Sequence, residues 1–246
     1  MLNPREYLST YYASDPSFDY EEGFHLNWWQ HCYDSKKPSG SMLVIGGGPI
    51  ISPIITAAKY LTKIDFTDYD PDCLEEVNEW IEGRGHCWNA YIRKALELES
   101  LPFDGSEVSQ RAQLIKDKIA SLKQYDVLAT KLDESYEVVD ASFVLECMSA
   151  SREVFIKALN SALSHLSENG VFQGAFLNRS NRWVSGGAFH DCFYLTEDSI
   201  TEIFASLGME INKIASLSLC NDSRTGGYIF IQAKRLNASL DTSILN

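Results

Sequence analysis

Met42-Leu43-Val44-Ile45-Gly46-Gly47-Gly48-Pro49 is the stretch that decides the fold. Four apolar residues in a row, two of them β-branched, are too short for a helix and read as a buried strand. Three glycines then let the chain turn sharply and leave its backbone bare of side chains. Ser52-Pro53 supplies an N-cap and a first-turn proline for a helix over residues 54–61. Residues 63–67 form the next strand, which ends in Asp68, so strand, turn, helix and strand follow in order.

The same alternation extends downstream. A helix is expected over 71–81, with Leu74, Val77 and Trp80 on one face, and a turn over 101–105. Residues 90–93 read as a strand and 108–122 as one amphipathic helix, and Tyr125-Asp126-Val127 reads as a short strand end. A strand over 137–144, a helix over 155–166 stopped by Asn169-Gly170 and a strand over 171–177 come next. A helix over 197–207, capped by Thr196 and ended by Gly208, precedes two strands, 211–219 and 228–233. The polar loop 221–226 joins that last pair, so they run antiparallel.

Upstream, residues 3–33 are aromatic-rich and helix-like, and 36–40 form a linker. The pattern is α/β: a Rossmann-like, seven-stranded sheet with an antiparallel last strand and an N-terminal helical lid. One domain over 1–246 is expected, with a helical cap at 1–40 and a core at 41–246.

Composition narrows the partners. Hydrophobic residues make up 45%, charged residues 22%, and the net charge is −13 without any lysine or arginine run. That excludes the electrostatic footprint of a nucleic-acid or anionic-membrane binder, and leaves a small molecule as the expected partner. Six cysteines (Cys32, Cys73, Cys87, Cys147, Cys192 and Cys220) lie far apart, with no metal-ligand spacing, so free thiols and no metal are expected. The start shows no signal peptide and no apolar run reaches 18 residues, which points to a cytoplasmic protein. Nothing in the sequence sets the oligomeric state.

Asp68 ends its strand 22 residues after Gly46. A carboxylate about 20 residues past a glycine turn meets a ribose hydroxyl in doubly wound folds. A tight turn can be glycine-rich for packing alone, but both signals fall in one crevice. The GxGxxG spacing of dinucleotide sites is absent, and Pro49 removes an amide donor, so a smaller nucleoside fits better. Asp126 and Val127 are candidates for the adenine amino group and ring; a strand-end aspartate facing solvent is the alternative.

The whole chain resembles the nicotinamide, phenylethanolamine and indolethylamine N-methyltransferase family, within the class I S-adenosylmethionine-dependent methyltransferases. The resemblance is carried by Asn3-Pro4-Arg5-Glu6-Tyr7-Leu8 with Tyr11-Tyr12, by Ile45-Gly46-Gly47-Gly48-Pro49 and by Thr67-Asp68-Tyr69. Trp88, Asp126-Val127, Phe143-Val144-Leu145-Glu146 and the segment from Gly170 through Arg182-Trp183 to Leu195 extend it. It implies that Tyr7, Tyr12, Gly46, Gly47, Gly48, Asp68, Tyr69, Asp126, Val127, Ser142 and Phe143 surround S-adenosylmethionine. An aromatic face near a sulfonium offers cation–π attraction; a helix packing stripe is the other reading of the two tyrosines.

Three departures stand out. Val44 replaces the acidic residue often found two positions before the first glycine, and Ile50 and Ser52 replace the usual polar and tyrosine positions. Phe176 aligns with a substrate-binding aspartate of nicotinamide methyltransferases. Glu146 matches an acceptor-pocket carboxylate of the phenylethanolamine branch, and Asn178, Arg182, Trp183, His190 and Tyr194 are candidates for the same mouth.

The first expectation is N-methylation of a small amine or heteroaromatic, with Glu146 taking the proton. A second keeps S-adenosylmethionine as sole substrate: its amine attacks its own γ-carbon, giving azetidine-2-carboxylate and methylthioadenosine. Phe176, Tyr12 and Trp183 would then fold the methionine tail, with Asn178 or Glu146 on the amine. A third is a non-catalytic binding module on the same fold.

Overall fold

Consecutive residues of the opening strand go to opposite sides of one sheet, and both sides are covered. The computed structural model describes residues 3–13, 21–36, 39–185, 187–218 and 226–236. Within β1 (Ser41–Val44), Met42 and Val44 join one core and Leu43 joins the other, all fully buried. A continuous apolar run rather than an alternating one is what a strand covered on both faces requires.

In chain order the remaining elements are α1 (Pro4–Tyr11) and α2 (Glu21–Lys36) ahead of the sheet, then α3 (Ser52–Ile55), β2 (Lys63–Asp68), α4 (Pro71–Ile81), α5 (Asn89–Leu98) and α6 (Gly105–Lys118). They continue with β3 (Ile119–Gln124), β4 (Tyr136–Ser142), a 3₁₀ turn at Glu146–Met148, α7 (Arg152–Ser164) and β5 (Leu166–Leu177). β6 (Arg182–Ser185), β7 (Ala188–Asp191), α8 (Glu197–Ser206), β8 (Met209–Ser218) and β9 (Gly227–Arg235) complete it.

Seven strands form the main sheet in the order β3-β2-β1-β4-β5-β9-β8. The first five are parallel, and β9 runs antiparallel between β5 and β8. On one face α2 to α6 bury Trp29, Tyr33, Ile54, Trp80, Trp88 and Tyr91 against Val44, Phe66 and Phe230. On the other, α7 and α8 bury Phe155, Leu159 and Phe204 against Val139, Phe172 and Ile229. Each such side chain contributes roughly 1.5 to 3 kcal/mol by burial. Sequential winding reverses between β1 and β4, and the ends of those two strands open the crevice where ligands of such sheets bind.

Three sequence expectations change, and one element is new. Residues 90–93 lie inside α5, whose buried Tyr91, Ile92, Ala95 and Leu96 follow a helical period. The helix expected over 108–122 stops at Lys118, because the helical spacing of Ile115, Ile119 and Leu122 is overridden where 119–124 pair in parallel with β2. Helix 54–61 is reduced to the single turn of α3, with Ile51 as its N-cap and Ser52 already helical. Arg182–Ser185 and Ala188–Asp191 form a separate hairpin. The expected loop at 221–225 and linker residues 37–38 lie outside the described residues. Among the described residues, no helix is long and apolar enough to cross a membrane.

Candidate active site

The glycine turn is held from three sides. Ile45 N–H donates to the Asp140 carbonyl at 2.8 Å, Gly47 N–H to the Thr67 carbonyl at 3.0 Å, and Gly48 N–H to Asp68 Oδ2 at 2.7 Å. Asp68 Oδ1 accepts from Asp70 N–H at 2.7 Å, so each carboxylate oxygen is tied to one backbone amide and keeps a lone pair for a ligand. Burial raises the Asp68 pKa, partly offset by those amides.

Gly46 and Gly48 both have φ of +61°, in the left-handed region that L side chains disfavour. A Cβ on Gly46 would run into Val144, whereas one on Gly48 would meet nothing within 4 Å. Gly46 is therefore glycine for packing, and Gly48 presents open backbone to the crevice. Gly46→Ala is expected to lower the melting temperature clearly. Gly48→Ala should cost only about 1 kcal/mol of backbone strain yet weaken nucleoside binding. Thermal melts with and without S-adenosylhomocysteine check both; equal behaviour of the two variants contradicts the assignment.

Two adjoining hollows meet at Gly46, Val144 and Met148. The first, about 250 Å³, is lined among others by Gly46–Gly48, Asp68, Asp140, Ser142 and Phe143. The second, about 350 Å³, is lined by Tyr69, Tyr125, Asp126, Val127 and Leu128 among others. Tyr125 N–H donates to the Asp68 carbonyl at 2.8 Å and so sets this second hollow beside the end of β2. Asp126 Oδ1 accepts from Leu128 N–H at 2.8 Å, which fixes the carboxylate at the rim. The two volumes bracket the low end of small-molecule sites, roughly 300 to 1,000 Å³.

Tyr7, Phe143 and Trp183 give the first hollow aromatic walls. Tyr7 is brought there by α1, which is pinned through Arg5 to Glu76 of α4 at 3.1 Å and through the Tyr11 hydroxyl to the Val184 carbonyl at 3.4 Å. Trp183 stacks on His190 across the β6–β7 hairpin, with ring centroids 4.7 Å apart. Phe143 has φ of +57°, an unusual conformation for a bulky residue, and its amide is tied to the Ala175 carbonyl at 2.6 Å.

Two carboxylates are buried near the cleft, Asp140 in its lining and Glu146 behind it. Asp140, at the end of β4, is 1% exposed; its Oδ2 accepts from the Ser142 hydroxyl at 3.2 Å and its Oδ1 has no hydrogen-bond partner among the described residues. Glu146 is fully buried; its Oε1 accepts from Leu177 N–H at 3.0 Å and Oε2 has no such partner. Burial pushes both pKa values up to about 7. Among the described residues, no group of three or more histidine, cysteine or acidic side chains could hold a metal.

This chain matches the NNMT/PNMT/TEMT family over residues 1–236. It belongs to that family. Indolethylamine N-methyltransferase of Mus musculus is 25% identical over 229 residues, covering 89% of this chain and 86% of that protein. Phenylethanolamine N-methyltransferase of Rattus norvegicus is 22% identical over 261 residues, covering 97% and 90%. Among solved structures, the N-methyltransferase NodS of Bradyrhizobium japonicum WM9 in complex with S-adenosyl-L-homocysteine has a TM-score of 0.56 at 11% identity, covering 95% of this chain and 98% of that one. This last likeness supports the Rossmann-like methyltransferase fold. As a member of the NNMT/PNMT/TEMT family the chain is an S-adenosylmethionine-dependent transferase, with that molecule as cosubstrate. The open backbone at Gly48 and the latched Asp68 suit such a nucleoside.

The expected cofactor residues of this family member mostly converge. Tyr7, Gly46, Gly47, Gly48, Asp68, Ser142 and Phe143 line the first hollow, and Tyr69, Asp126 and Val127 the second. Tyr12 stands behind Tyr7, packed against Trp88 and Tyr91 at 5.4 and 5.6 Å, and does not line the cleft. Phe176 is fully buried against Phe155 on the α7–α8 face, because its position in β5 points away from the crevice. Asn178 follows β5 against Gly226 and Gly227 and is likewise outside the lining. Glu146 sits one residue behind the lining Cys147.

Sequence reasoning missed Asp70, Cys73, Asp140, Cys147 and Met148, which all line the first hollow. Asp140 carried a signal, an acidic residue flanked by the apolar Val138, Val139 and Ala141. Because its folded pKa lies above the ordinary carboxylate value, its ionisation opposes folding: stability is full below about pH 4 and falls as pH rises through 7. Asp140→Asn should therefore stabilise the unliganded protein at pH 8 by roughly 1 to 4 kcal/mol and flatten part of that slope. Melting curves from pH 4 to 8 test this, and a destabilised Asp140→Asn would contradict it.

Proposed function

We propose that this enzyme transfers the methyl group of S-adenosylmethionine to the nitrogen of a small amine or heteroaromatic acceptor. The observation that carries the reading is the pairing, at the ends of β1, β2 and β4, of a carboxylate-latched glycine turn with aromatic walls and a buried carboxylate in the lining. Bound S-adenosylmethionine supplies an electrophilic methyl on a sulfonium whose charge is lost as the nucleophile attacks. The chain's contribution is orientation and exclusion of water.

Asp68 and the Gly46–Gly48 backbone hold the ribose end, and Tyr69, Asp126 and Val127 the base. Tyr7 and Trp183 face the sulfonium, with α1 acting as the lid. In α2, Trp29, Cys32 and Tyr33 are fully buried, whereas α1 buries Leu8 alone, so lid behaviour is assigned to α1. Cap and core act as one unit, since α1 and the β1 turn line the same cleft. An amine acceptor must be neutral to attack, and Glu146 takes its proton directly or through one water. A carboxylate held near neutral pH with one unpartnered oxygen suits that role.

Ring closure of S-adenosylmethionine suits a cleft walled by Phe176. With that ring packed against Phe155, the premise is gone. The discriminating experiment incubates the protein with S-adenosylmethionine alone and with a panel of small amines, and weighs the nucleoside product. Acceptor-dependent S-adenosylhomocysteine supports methyl transfer; methylthioadenosine formed without acceptor overturns it.

A further inference from the structure

We infer that Asp140 is the ammonium anchor of the cleft and binds the α-amino group of S-adenosylmethionine, so that the methionine end is read from β4. This rests on use of S-adenosylmethionine and not on the identity of the acceptor. Asp140 lines the hollow that contains the glycine turn, and not the one lined by Asp126 and Val127. Its Oδ1 is buried and lacks a hydrogen-bond partner, and among the described residues no cationic side chain pairs with it. A carboxylate left this way at the wall of a ligand cleft is an acceptor waiting for a cation that arrives with the ligand.

Its neighbours across the sheet supply no cation, and the one amide donor there, Gln173 Nε2, makes no hydrogen bond among the described residues. The register partner on β1 is Val44, and the partner on β5 is Gln173, whose Oε1 is taken by the Tyr33 hydroxyl at 2.7 Å. The Ser142 hydroxyl occupies Oδ2, fixing the carboxylate so that Oδ1 is the free position. The Asp140 carbonyl is itself bonded to Ile45 N–H, so the side chain is anchored at the base of the turn that receives the nucleoside. A ligand seated on Gly48 and Asp68 has its nucleoside at one end of this hollow, and a primary ammonium on its other arm would lie in the compartment that Asp140 closes. The acceptor amine is the other possible source of such a cation.

Calorimetry with three probes separates the sources: S-adenosylhomocysteine, its desamino analogue, and methylthioadenosine, which has no amino-acid tail. The wild-type enzyme should bind S-adenosylhomocysteine about 10- to 100-fold more tightly than the desamino analogue, the range of one charged hydrogen bond. Asp140→Asn should remove most of that difference while leaving methylthioadenosine affinity unchanged, which also reports that the variant is folded. The inference is overturned if the wild-type enzyme binds both tailed probes equally, a result that needs no variant. It is equally overturned if Asp140→Asn keeps the preference and instead raises KM for the amine acceptor. Failure of the wild-type protein to bind any of the three nucleosides would overturn the S-adenosylmethionine reading itself, and is thereby distinguishable.

Discussion

Asp68→Ala is expected to weaken S-adenosylmethionine binding by about 100-fold or more, from the loss of charged hydrogen bonds worth roughly 1.5 to 3 kcal/mol each. Two effects combine. The ribose hydroxyls lose their acceptor, and the amides of Gly48 and Asp70 lose the oxygens that hold the turn, both at 2.7 Å. Asp68→Asn separates them, because an amide keeps the shape and one acceptor oxygen but cannot accept from both amides. An intermediate loss is expected. Calorimetric titration with S-adenosylhomocysteine measures both variants; affinity within about threefold of wild type for Asp68→Ala would mean that the ribose lies elsewhere.

Glu146→Gln should lower kcat by about 100-fold or more and leave S-adenosylhomocysteine binding close to wild type. In the wild-type enzyme at saturating cosubstrate, kcat should rise with pH through about 7, since burial holds the carboxyl protonated below that value. Glutamine at this position removes the rising limb. Asp140 titrates in the same range in the free protein, but an ammonium on its Oδ1 would hold it ionised in the complex, so kcat at saturation reports on Glu146. An intact limb in Glu146→Gln would assign the proton to another group. Retention of the Leu177 amide contact by the glutamine carbonyl keeps the end of β5 in place, which a melting curve can verify.

Where the chain obeys local rules, the sequence was readable. The β1 run and glycine turn, Asp68 and the Thr196 cap all lie where periodicity and turn chemistry put them. One element was misread because tertiary pairing overrode local spacing: Ile119 continues a helical stripe yet is extended, since β2 offers an open edge. The nucleoside half of the candidate site was legible because each residue sits at a strand end. The acceptor half was not. Phe176 and Ala175 are neighbours in sequence, but strand alternation sends them to opposite faces, and only the observed register decides which faces the α7–α8 core. Val44 marked a missing carboxylate, while Asp140 lies directly across from it on β4, a relation that sequence distance conceals.

A crystal structure with S-adenosylhomocysteine bound is the most direct measurement. The ribose hydroxyls are expected on the Asp68 carboxylate, the adenine between Tyr69 and Asp126–Val127, and the tail beneath Tyr7 with its amine toward Asp140. A nucleoside bound away from Gly46–Gly48, or an Asp68 carboxylate that touches no part of it, would contradict the central claim.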